Sequence, residues 1–240
     1  KDLGMIGSAD IIGAAITGIF WLSIALFLEV EEYGEVHYFI GIAGVAFVFA
    51  LFGTQHVITV YSAKKINVVS TLFFLSILTS LGVALIVFTF YNQIDLSFLL
   101  IGYTVNELAL GYLIGKKLFS NYLKYVLTQR TLTFILGFGF YFIFGAEGII
   151  FALALSYIHF SLLIYKGLKD SSINFSSLKA HSGFITNNYV IAVVGGFRGN
   201  VDKVIIAPLL GFALLGNYVL ALQFYVVLML IPNLVFKYTL

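Results

Sequence analysis

Residues 67–91 read NVVSTLFFLSILTSLGVALIVFTFY, without one charged side chain. A helix rises 1.5 Å per residue, so a run of this length reaches across a hydrocarbon core about 30 Å thick. Lys64 and Lys65 stand just before it and Asp95 just after it. That arrangement, bases at one end and an acid at the other, sets the pattern for the chain. Working outward, further apolar spans fall at 11–28, 36–53, 96–115, 125–144, 148–165, 184–209 and 212–236, making eight in all. Backbone groups in lipid must find their partners within the structure, which leaves helices or a closed barrel. Barrel strands alternate apolar and polar residues over about ten positions. These spans are longer and apolar on most faces. The expected fold class is an all-α polytopic transmembrane helix bundle.

Lys and Arg occupy every second gap. Lys1 precedes the first span, and Lys64 and Lys65 follow the second. Lys116, Lys117, Lys124 and Arg130 surround the start of the fifth. Lys166, Lys169 and Lys179 separate the sixth from the seventh, and Lys237 follows the eighth. The alternate gaps hold acids alone: Glu29, Glu31, Glu32 and Glu35 in EVEEYGE (29–35), then Asp95 and Glu147. Short cytoplasmic loops carry the excess of bases, so both ends of the chain are expected in the cytoplasm, with the protein multi-pass in the cell membrane.

Composition agrees. The chain is 61% hydrophobic and 10% charged, whereas a soluble domain is about half apolar and a quarter charged. Such a chain has too little polar surface for a wet exterior, and the bilayer is its solvent. No basic run or zinc-ligand spacing points to nucleic acid. Cysteine is absent, which excludes disulfides and thiol chemistry. No HExxH, GxSxG, P-loop or acidic metal motif occurs, so neither catalysis, a metal nor a cofactor is expected. The chain begins at Lys1 rather than Met and ends at Leu240 just past an apolar run. Both features suggest a piece of a longer protein.

Two gaps are more than loops. Residues 54–66, TQHVITVYSAKKI, mix apolar and polar positions and are expected to extend the second span into the cytoplasm. Residues 166–183, KGLKDSSINFSSLKAHSG, form the longest polar stretch, and their Ser-rich centre suits a flexible connection between six spans and two. Small residues at helical spacing, Ala14 with Gly18 and Gly195 with Gly199, allow helices to approach closely in lipid.

An ionisable group at a helix centre costs roughly 2.5–3.5 kcal/mol on insertion, so each needs a partner or a wet cavity. The clearest cluster is in the seventh span. Arg198 and Asp202 are four apart and share a face, while Lys203 points about 100° away. The cluster is either an internal ion pair or a cationic site facing a cavity, with Asp202 holding the arginine. Glu107 lies near the middle of the fourth span beside Asn106, for structural pairing or for coupling to a cation. Asp10 opens the first span, where a helix N-terminus favours an anion. His159 reads as a satisfied core histidine, Arg130 as a residue snorkelling to the interface, and Gln55 and His56 as interfacial.

Three stretches carry a resemblance. Residues 26–45, LFLEVEEYGEVHYFIGIAGV, resemble the "LGpeeYG" turn and following helix of polysaccharide and O-antigen flippases. Residues 202–221, DKVIIAPLLGFALLGNYVLA, resemble their "D-x-x-I-I…LG…G-x-Y-x-x-A" region. Between them, Gly145, Ala146, Glu147 and Gly148 resemble the turn between the fifth and sixth helices. The chain thus resembles the multidrug/oligosaccharidyl-lipid/polysaccharide flippase superfamily in helix order over nearly its whole length. An arginine common shortly before the first motif is absent here, where the chain reads Ala25, Leu26, Phe27 and Leu28.

The resemblance implies two six-helix lobes around a central cavity that opens to each side in turn. Residues 1–167 would form the first lobe, 168–183 a cytoplasmic linker, and 184–240 the first two helices of the second. It also implies movement of a lipid-linked oligosaccharide or polysaccharide precursor from the cytoplasmic to the outer leaflet. Arg198 and Lys203 would then offset the charge of its pyrophosphate, and Asp202 matches the family's acidic position in the seventh helix. The alternatives are an H⁺- or Na⁺-coupled exporter using Glu107, or a membrane scaffold without transport.

Overall fold

The computed structural model describes the backbone of residues 2–52 and 54–239, and the side chains of 4–52, 54–197 and 199–229. The described residues are helical almost throughout, with no strand among them. The helices are α1 (Asp2–Ile24), α2 (Val30–Ala50), α3 (Gln55–Ala63), α4 (Val69–Tyr91), α5 (Ile94–Gly115) and α6 (Phe119–Phe144). Then come α7 (Glu147–Ser156), a 3₁₀ turn (Ile158–Phe160), α8 (Ser161–Lys169), α9 (Phe175–Ala180), α10 (Ser182–Leu210) and α11 (Phe212–Thr239). Seven of the long segments are long and apolar enough to cross a membrane, α7 to α8 counting as one. α10 is an eighth long helix of 29 residues. It falls outside those seven; Asn187, Asn188, Arg198, Asn200, Asp202 and Lys203 make it more polar than the rest. The chain is an all-α, multi-pass helix bundle.

The boundaries follow local chemistry. EVEEYGE is not a loop: α2 starts at Val30, six residues before the expected span. Glu32 takes the Glu29 amide on its side chain at 3.0 Å, and carboxylates in a first turn complement the helix dipole. At the other end, α2 does not run on into 54–66 as one helix. The backbone turns extended at Leu51, and α3 starts afresh with Thr54 Oγ1 accepting the Val57 amide at 3.3 Å. Gly145 and Gly211, at φ 70 and 88, close α6 and α10 in the positive-φ half of the backbone map that only glycine enters freely.

The two ends of the bundle differ in charge, as the loop pattern requires. At one end Glu35, Asp95 and Glu147 line a single cavity of about 560 Å³ walled by Phe39, Phe140, Phe144 and Phe151. At the other, Lys116 pairs with Asp170 at 2.6 Å. The 166–183 segment is not a free tether. Ser70 Oγ donates to the Gly167 carbonyl at 2.9 Å, Thr71 Oγ1 accepts the Asn174 amide at 2.8 Å, and Asn174 caps the short α9.

Two apolar cores lie one toward each end. Phe20, Trp21, Ile24, Leu96, Leu99, Ile149 and Leu215 belong to the first, and Val57, Ile58, Phe73, Leu113, Phe160 and Leu163 to the second. Outside them, Leu26, Phe90, Ile143 and Leu209 are at least 70% exposed. A perimeter of that kind suits lipid and not water. α2 is the hub, packed on α4, α5 and α7 on one side and on α10 and α11 on the other. The approach to α11 is close because Gly34 meets the Phe212 carbonyl and Gly216 meets the Val30 carbonyl.

Candidate functional site

The polar side chains at membrane depth gather at two places, and tertiary packing chooses their partners. The first is the seam between α2, α10 and α11. Asp202 Oδ2 accepts the Tyr218 hydroxyl at 2.7 Å, and Oδ1 accepts the Lys203 backbone amide at 2.9 Å. Lys203 Nζ donates to the Gly199 carbonyl at 2.9 Å and stands 3.7 Å from Asp202 Oδ1. The 100° separation points Lys203 away from Asp202. Its long stem overcomes that angle by folding back on the helix. A Cβ on Gly41 would lie 3.0 Å from the Lys203 Cβ, so α2 holds the stem in place. The Lys203 side chain is 15% exposed and that of Asp202 30%. Arg198 lies on the same helix, but its side chain falls outside the described residues.

The second place is a cavity of about 220 Å³ between α1, α5 and α6, lined by Asp10, Asn106, Tyr122, Gln129 and Arg130 among others. Tyr122 donates its hydroxyl to Asp10 Oδ1 at 3.0 Å, and Asp10, Arg130 and Glu107 all act on it electrostatically. Arg130 is half-buried on α6. Its Nε is buried without a hydrogen-bond partner among the described residues. Its neighbour Gln129 donates to Thr133 Oγ1 at 2.9 Å and Ser156 Oγ at 3.0 Å in a fully buried network that joins α6 to α7.

Glu107 stands beside this cavity with a partner the sequence did not suggest. Its carboxylate accepts the backbone amide of Gln55, at the N-terminus of α3. The positive end of a helix and an unsatisfied N–H there both favour a carboxylate. α3 fits because Gly111 and Gly115 leave room on α5, and Thr59 Oγ1 donates to the Gly111 carbonyl at 3.2 Å. His159 is satisfied as expected, with Nδ1 at 2.9 Å from the Ser156 carbonyl oxygen and Nε2 at 3.1 Å from that of Tyr125.

The five candidates therefore divide. Asp10 lines the α1–α5–α6 cavity and Glu107 stands beside it against α3, Asp202 and Lys203 belong to the α2–α10–α11 seam, and Arg198 is set on α10 by its backbone alone. The Gly195–Gly199 pair packs on nothing among the described residues; Gly196 meets Val48 instead. Sequence reading missed Tyr218, Tyr122, His37 and the Gly111–Gly115 pair. The last carried a local signal, its four-residue spacing, and Tyr218 lies in the G-x-Y-x-x-A stretch without being singled out there. No group of His, Asp and Glu among the described residues could hold a metal.

Fold and site together define a multi-pass membrane protein with polar residues buried at helix seams. No family model, curated protein or solved structure matches the chain.

Proposed function

We propose that the chain is part of a membrane flippase, moving a lipid-linked oligosaccharide or polysaccharide precursor from the cytoplasmic to the outer leaflet by alternating access. It acts in the plasma membrane with both termini in the cytoplasm, as a transporter and not an enzyme. Residues 1–167 form the first lobe, 168–183 the linker and 184–240 the start of the second lobe. One observation carries this reading: Lys203 and Asp202 sit where α10 meets α2, which is the seam between the two lobes so defined. A transporter that rocks its lobes opens such a seam. An ammonium held at 15% exposure by a carboxylate and a carbonyl is a cation kept in reserve for an anionic cargo. Exchange of Asp202 for a pyrophosphate oxygen costs Lys203 little, because one charge-assisted bond replaces another. Arg198 stands one turn before Asp202 on the same helix and supplies the second cation.

The test is translocation of a fluorescent lipid-linked oligosaccharide in vesicles holding the full-length protein. Lys203→Ala and Arg198→Ala should each slow it at least tenfold while the protein still inserts and melts cooperatively. Translocation at the wild-type rate in both variants overturns the reading.

A further inference from the structure

His37 is 3% exposed, and its Nε2 has no hydrogen-bond partner among the described residues. The same is true of the hydroxyl of Tyr33, one turn earlier and also 3% exposed. Two orphaned polar atoms on one helix face are unusual in a dry core, where such groups are almost always paired. Aromatic rings and close-packed helices surround them. The Trp21 ring of α1 lies 4.3 Å from the imidazole, centroid to centroid, and the Tyr33 ring 4.6 Å. On the same face of α2, Gly34 is pressed against α11 and Gly41 against the Lys203 stem of α10. The imidazole is thus covered by Trp21 of α1 and lies on the face of α2 that packs on α10 and α11.

We propose that His37 is a proton-binding site at the joint between α2 and the α10–α11 pair, and that proton uptake there opens the joint. A charged imidazole has no counter-ion among the described residues in the closed arrangement. α1 presents Trp21, α2 presents Tyr33, and α11 presents Tyr218, already committed to Asp202. α10 presents Lys203, the charge that acts on His37, together with Asp202, which Lys203 and Tyr218 occupy; the Arg198 side chain lies outside the described residues. Asp95 and Glu147, from α5 and α7, meet α2 beside Glu35 and Phe39 at the outer cavity. An added proton therefore faces a like charge and a dry wall. Water reaches it only when α2 parts from α10 and α11. Proton binding and opening are then linked equilibria, and each favours the other. The inference concerns the joint and holds for any cargo.

The protein supplies its own reporter, because Trp21 is the one tryptophan and there is no cysteine to interfere with labelling. Trp21 emission is followed through an acid titration of the full chain in lipid nanodiscs. In parallel, spin labels on Glu31→Cys and Leu209→Cys report the distance between α2 and α10. Acid should weaken and red-shift the emission and lengthen the distance together, and both responses should vanish in His37→Gln. His37→Phe, which keeps an aromatic packing partner for Trp21, serves if the glutamine variant does not fold. Responses that persist in the folded variant, an emission change without a distance change, or no response in the wild type would each overturn the proposal.

Discussion

Tyr218 of α11 donates its hydroxyl to Asp202 of α10 at 2.7 Å, and that bond joins the last two helices across the tight turn at Gly211. Asp202 also serves Lys203, so the two ends of its carboxylate have different jobs. Tyr218→Phe removes one bond to a charged group that is about a third exposed. It should cost about 1 kcal/mol, read as a small fall in melting temperature in detergent. Asp202→Ala leaves Lys203 with only a carbonyl. It should cost clearly more, and Asp202→Asn should fall between them.

Gly34 and Gly216 set the distance between α2 and α11. A Cβ at either would lie 2.0 Å from a carbonyl oxygen of the other helix, that of Phe212 or Val30, and backbone cannot swing aside. Gly34→Ala and Gly216→Ala should each destabilise by about 1–3 kcal/mol or more. Gly195→Ala and Gly199→Ala should cause no loss, since neither Cβ would meet anything. Thermal unfolding of the four variants separates the close-packed pair from the open one.

Glu107 holds the amide of Gln55. Glutamine keeps a carbonyl oxygen at that position and alanine does not. Glu107→Gln should keep α3 folded, whereas Glu107→Ala should cost about 0.5–2 kcal/mol, the usual range for a lost cap. Hydrogen exchange at the amides of residues 55–58 is the measurement, with faster exchange expected in the alanine variant alone. A coupling role for Glu107 would instead show as loss of transport in the glutamine variant with α3 intact.

Lys116 and Asp170 pair at 2.6 Å, with side chains 31% and 32% exposed. Solvent screens such a pair, so Asp170→Asn should cost at most about 1 kcal/mol. The difference from wild type should shrink further as salt is raised. A melting-temperature series against ionic strength checks both points.

The long helices were legible in the chain because crossing a bilayer is a local property. It needs only enough consecutive apolar residues, and 67–91 or 96–115 declare that without reference to anything else. The segregation of charge was legible for the same reason. It sums over loops, and the carboxylates of Glu35, Asp95 and Glu147 meet at one end as the alternation demands. Local rules failed where a residue acts on its neighbours rather than on the solvent. EVEEYGE reads as a loop by charge, yet acids at a helix N-terminus lengthen α2 by six residues. The break at Leu51 is hidden because α3 is held by α5, through Glu107, Gly111 and Gly115.

By itself, then, the sequence determined that this is an all-α membrane bundle and at which end each loop gathers. The spans, and the end at which each loop lies, follow from hydropathy and charge counted along the chain. Only the tertiary structure decided what each buried polar group does. Asp10 finds Tyr122 across 112 positions, Glu107 finds the amide of Gln55, and Asp202 finds Tyr218. Depth in the membrane says that such a group must have a partner. The rotation of each helix about its axis and the helix it faces choose which one, and both are set by the packing of all the helices together.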